Sequence, residues 1–91
     1  MRPESSVRQL QARIRADQRR IAGGERPVYH ASWKATLDGA SDVTIVELPI
    51  IHLFVPDRVR LADGARGLIA RTLAVDAATF DVVVEEPVGS R

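Results

Sequence analysis

A chain of 91 residues, 45 % hydrophobic and 27 % charged, makes one small domain with an adequate core, and its lack of cysteine excludes disulfides and thiolate metal sites. The charged start M-R-P-E-S-S-V-R is followed by no apolar run, and the stretch around Val43 to Val55 is too short and interrupted to span a bilayer, so the expectation is a cytoplasmic protein. A net charge of +1 hides an asymmetry: residues 1–26 carry seven arginines against three acids, residues 27–91 six basic against nine acidic side chains. A basic leader on an acidic body suits nucleic acid, an acidic partner surface, or pairing between copies. Aromatic residues are scarce at 4 %, so Tyr29, Trp33, Phe54 and Phe80 are all expected at or near the core.

Residues 5–22 predict a first helix, with Ser5 or Ser6 as its cap and Gly23-Gly24 as its end. Val7, Leu10, Ile14 and Ile21 form a thin apolar stripe interrupted by Asp17 and Gln18, which predicts loose docking on the body or on a second copy. The rest of that helix is rich in arginine. Arg8, Arg13, Arg15, Arg19 and Arg20 are the candidate nucleic-acid contacts, and with no aromatic among them duplex backbone suits them better than stacked single strands.

After the connector Glu25-Arg26-Pro27, residues 28–37 alternate: Tyr29, Ala31, Trp33, Ala35 and Leu37 face one way, Val28, His30, Ser32, Lys34 and Thr36 the other. Asp38-Gly39 signals a turn, and residues 43–48 return as the second strand of a hairpin. Pro49 marks a strand end or a sheet edge, and residues 50–55 make a third strand. Asp57 can cap a helix over 57–75, in which Leu61, Ala65, Leu68, Ile69, Thr72 and Leu73 recur at helical steps. Phe80, Val82 and Val84 then alternate with Asp81, Val83 and Glu85 in a last strand, delivered by the helix to the same sheet. Glu85-Glu86 ends that strand and the tail P-V-G-S-R is expected to fray. The fold class is therefore α+β: an antiparallel-rich sheet of three or four strands with one packed helix, β-β-β-α-β over 27–91, preceded by a basic helix and connector over 1–26.

Catalytic chemistry is sparse. His30 lies on the polar face of the first strand and His52 in the third, with no carboxylate beside either at a telling spacing, so a surface residue and a sheet residue are the better readings. Asp38, Asp42 and Glu47 surround the hairpin turn but lack calcium-loop spacing, and a solvated turn explains them. D-G-A-R-G-L at 63–68 matches no phosphate-binding or dinucleotide pattern. Gly64 and Gly67 each weaken a helix by about 1 kcal/mol relative to alanine, which points to close approach against the sheet or another helix. No nucleophile motif, metal site or cofactor site is expected.

The run A-R-G-L-I-A-R-T-L-A-V-D-A-A-T-F-D-V-V-V-E at 65–85 resembles the end of the partial RNase H-like domain of HicB-family antitoxins. Ala65, Arg66, Ile69, Ala70, Leu73, Val75, Asp76, Phe80, Val82 and Val84 fill the places of that family's helix and following strand. V-T-I-V-E-L-P at 43–49 looks like its second strand, so the likeness covers residues 43–85. The family has a glycine soon after that proline, where this chain reads I-I-H-L-F-V-P. The C-terminal DNA-binding segment common in the family has no counterpart in this sequence, and operator binding is not carried over.

The resemblance implies a β-β-β-α-β domain that acts by binding, masking a small ribonuclease toxin. The leading expectation is a non-catalytic antitoxin-like or regulatory module that binds a small basic protein and associates with itself. The alternative is a nucleic-acid-binding module using the N-terminal arginines. A helix, three strands and a helix is also the order of the double-stranded-RNA-binding fold, but its basic motif is absent, and Arg58, Arg60, Arg66 and Arg71 are diluted by Asp57 and Asp63. A small enzyme built on His30 is the third reading, and requires a pocket and a carboxylate at that residue.

Overall fold

The computed structural model describes residues 3–48 and 50–85, with side chains from residue 6 onward. Pro49, Glu86 and the tail expected to fray lie outside the described residues. Helix α1 spans Pro3–Ala22, strand β1 Val28–Ala35, β2 Ser41–Ile45 and β3 His52–Val55; helix α2 spans Leu61–Leu73 and strand β4 Asp81–Val84. The sheet runs β3-β2-β1-β4, antiparallel except where β4 lies parallel to β1. The fold is thus α+β, with a mixed four-stranded sheet and one helix preceding it.

Alternation places one row from each strand against α2. Tyr29, Ala31 and Trp33 of β1, Val43 and Ile45 of β2 and Val55 of β3 are buried with Leu61, Ala65, Ile69 and Leu73 of α2 and with Phe80. The four buried α2 residues recur every fourth position, the repeat of one helical face. Tyr29 and Phe80 meet edge to face at 5.6 Å between ring centroids, a favoured aromatic geometry. Phe54 departs from expectation. It pairs with Asp42 on the sheet's other face and is 59 % exposed.

Leu37 departs too. The first strand stops at Ala35, where the Thr36 amide bonds to the Ala40 carbonyl at 2.8 Å and closes the turn, leaving Leu37 fully exposed. Gly39 in that turn has φ +86°. Asp57 caps, as expected, although the turn it begins is a 3₁₀ turn at Arg58–Arg60 leading into α2. Helix α1, described from Pro3 onward, already includes Ser5 and Ser6, so neither is its cap. At the far end Gly24 takes φ +95°, and the Glu25 amide bonds the Arg20 carbonyl at 2.9 Å in a Schellman-type stop.

The docking of α1 is tighter than its apolar stripe suggests, because the residues that interrupt the stripe hold the helix down. Asp17 is 1 % exposed and accepts the Tyr29 hydroxyl at 2.7 Å and the Arg13 Nε at 3.0 and 3.1 Å. Gln18 donates its amide to the Leu73 carbonyl at 2.7 Å, capping the end of α2. Leu10, Ile14 and Ile21 pack beside them against the core.

The two helix glycines divide. A Cβ on Gly64 would stand 3.1 Å from methyls of Leu53 and Val55, so this glycine lets α2 lie close on β3. One on Gly67 would meet only the Arg71 guanidinium, at 3.7 Å, so close approach does not explain it.

Two non-glycine residues carry left-handed backbone, Ile50 at φ +83° and Ala74 at φ +55°. Ala74 follows α2, where the Val75 amide bonds the Ala70 carbonyl at 3.1 Å. A left-handed conformation disfavours L-residues by about 1–2 kcal/mol, more for a β-branched side chain, and glycine removes the penalty. Ile50→Gly and Ala74→Gly are therefore each expected to raise stability by about 0.5–1 kcal/mol, read as a higher urea midpoint at unchanged m-value.

Candidate functional site

Both helices lie on one side of the sheet, and no described element covers the opposite face. Val28, His30, Ser32 and Lys34 of β1, Asp42 and Thr44 of β2, and His52 and Phe54 of β3 share it, as the register Ser32–Thr44–His52 and Lys34–Asp42–Phe54 requires. Val83 of β4 lies beside His30. Val28, Val46, Phe54 and Val83 are exposed apolar side chains. The relief is shallow: one depression of about 240 Å³ is lined by Ser32, Trp33, Lys34, Asp42 and Thr44.

Each histidine has a carboxylate that spacing did not suggest. His30 Nδ1 lies 2.5 Å from Glu47, whose other oxygen accepts the His30 backbone amide at 2.8 Å. Glu47 thereby substitutes for a strand partner just where β2 ends. His52 Nδ1 lies 3.5 Å from Asp42 Oδ1, which has no hydrogen-bond partner among the described residues. The hairpin register carried a signal: a turn at Asp38-Gly39 that pairs Lys34 with Asp42 brings residue 47 back near residue 30. The two histidines are two strands apart, about 10 Å at the usual strand spacing, and do not form a pair. His30 is not among the residues lining the depression at Ser32, Trp33, Lys34, Asp42 and Thr44.

Asp38, Asp42 and Glu47 turn to different partners: Asp38 accepts from the Thr36 hydroxyl and the Ala40 amide, Asp42 faces His52, Glu47 takes His30. The Thr36 hydroxyl, then the turn amides, hold the Asp38 carboxyl below its usual range. No group of three metal-ligating side chains converges among the described residues.

The hydrogen bond to Glu47, and then the charges of Glu47 and Glu85, raise the His30 pKa above its ordinary value. A pKa raised by folding adds stability that is fully present below the unfolded value of about 6.5 and is lost as pH climbs through the folded value. Glu47→Gln is expected to return the His30 titration towards that ordinary value, followed by imidazole NMR shifts, and to flatten the fall in stability as pH rises past about 6.5.

The five candidate arginines separate. Arg13 and Arg20 are turned to Asp17, and Arg20 also bonds Glu25 at 2.6 Å. Arg8, Arg15 and Arg19 are exposed. Arg26 forms two 3.0 Å bonds to Asp81 and ties the connector to β4. Among Arg58, Arg60, Arg66 and Arg71, Arg58 lies over the Trp33 ring at 5.2 Å and Arg66 donates to the Ala77 and Phe80 carbonyls.

No helix among the described residues is long and apolar enough to cross a membrane. No family model, no curated protein and no solved structure matches the chain.

Proposed function

We propose that this chain is a non-catalytic, antitoxin-like binding module that sequesters a small basic protein on the uncovered face of its sheet and associates with itself. The observation that carries this reading is the face itself. Val28, Val46, Phe54 and Val83 are exposed apolar anchors that no described element covers, set among Asp42, Glu47 and Glu85. Apolar anchors supply affinity in an interface, and surrounding charges select the partner and its orientation.

Ile50 lends support from a different direction. Its left-handed backbone directly follows Pro49, the neighbourhood in which the HicB-type pattern has glycine. The β-β-β-α-β order of residues 28–84 is also the one that the resemblance implies. Self-association would use the outer edges of β3 and β4, which offer backbone groups to a further strand.

Co-expression with the product of the adjacent reading frame, followed by size exclusion with light scattering, tests the proposal. A small basic protein co-eluting with the chain supports it, and an adjacent product that never co-elutes sinks it. Phe54→Asp removes the most exposed aromatic anchor without touching the core, and is expected to weaken such a complex about tenfold or more while the fold persists by circular dichroism.

A further inference from the structure

Helix α1 has a second side that neither the core nor the sheet face uses. At 100° per residue, Arg8, Arg15 and Arg19 fall within about 40° of one another, diametrically opposite the buried Asp17. With a rise of about 1.5 Å per residue, they form a stripe about 16 Å long, Arg15 and Arg19 about 6 Å apart. Asp17 and Gln18 fix its aim, since their bonds to Tyr29 and to the Leu73 carbonyl turn the side of α1 that carries the three exposed arginines away from the core.

Among the described residues the stripe is also uncompensated. The neighbouring arginines are neutralised internally, Arg13 and Arg20 on Asp17 and Arg26 on Asp81, whereas no described acidic side chain lies within ion-pair distance of Arg8, Arg15 or Arg19. Among the described residues, Gln11, Ala12 and Ala22 flank the stripe, all exposed and none a large apolar group. A protein interface of useful affinity needs a buried aromatic or aliphatic anchor, and this surface has none. Its affinity must come from charge, as it does when arginines displace counterions from a polyphosphate. With no aromatic side chain on the stripe, bases have nothing to stack on.

We infer that Arg8, Arg15 and Arg19 form a sequence-independent contact for the phosphate backbone of duplex nucleic acid, on the side of the molecule away from the sheet face. The contact is independent of the protein partner proposed above, and the two stand or fall separately.

Fluorescence anisotropy with a labelled DNA duplex and the full chain tests it. Three phosphate contacts predict a slope of about −2.7 in log affinity against log salt, so binding weakens about 80-fold between 20 and 100 mM salt. The triple variant Arg8→Gln, Arg15→Gln, Arg19→Gln is expected to lose that slope and binding at 20 mM salt. Lys34→Gln, Arg58→Gln, Arg60→Gln removes the same charge elsewhere and is expected to keep both. Circular dichroism verifies that each variant is folded. The inference is overturned if the wild-type chain shows no binding at 20 mM salt, or if both triple variants lose affinity equally. It is equally overturned if polyglutamate of matched charge binds as tightly as the duplex, which would make the occupant an acidic protein.

Discussion

Asp17→Ala is expected to destabilise the protein by about 2–3 kcal/mol, an unusual loss for one carboxylate on a surface helix. The two arginines that Asp17 engages have half-exposed side chains, so in isolation those ion pairs contribute little. The loss arises at the Tyr29 hydroxyl, fully buried and donating to Asp17. Removing its acceptor strands a buried donor, which costs about 1–3 kcal/mol. The remainder is packing, as Leu10, Ile14 and Ile21 lose their purchase on the core. Burial first, then Asp17, already holds the Tyr29 phenol well above its usual pKa. Asp17→Asn keeps an acceptor and is expected to forfeit only about 1 kcal/mol. Urea unfolding ranks the variants, and limited proteolysis should cut within residues 3–22 first in Asp17→Ala.

Gly64→Leu should cost about 3 kcal/mol. Even a bare Cβ there would stand 3.1 Å from Leu53 and Val55, so a longer side chain must push α2 away from β3. Gly67→Ala, one turn on, is expected to gain about 1 kcal/mol from helix propensity, since only a mobile guanidinium is near. Opposite signs at two glycines three residues apart would show that the helix is held close to the sheet at one point and is open at the other. Thermal or urea denaturation reads both.

Much of this fold was legible because its elements follow simple periods. The fourfold repeat of Leu61, Ala65, Ile69 and Leu73, and the alternation from Tyr29 to Trp33, name the core directly. What periodicity could not register is polarity put to structural use. Asp17 and Gln18 read as interruptions because a local pattern holds no information about Tyr29 or about Leu73, which lies fifty-five residues from Gln18. Phe54 misled for the converse reason: a large ring is assigned to the core by type, but its neighbour Val55 holds the inward position. The candidate site was less legible still. Glu47 meets His30 only once the turn at Asp38-Gly39 has set the hairpin register, a step beyond any local spacing, and the split among the arginines depends on a single buried carboxylate.

The parallel pairing of β4 with β1 bears on how quickly the chain finds its shape. Strands β1 to β3 meet through short links, whereas Val28 and Asp81, partners in the register, are fifty-three residues apart in sequence. Closing so long a segment loses entropy before any contact rewards it, which places β4 late in folding and slows the chain relative to a purely local meander. Interactions formed after the rate-limiting step act mainly on the unfolding rate. The Arg26–Asp81 pair would then be a kinetic latch: loosening it should quicken unfolding while refolding proceeds at nearly its former pace.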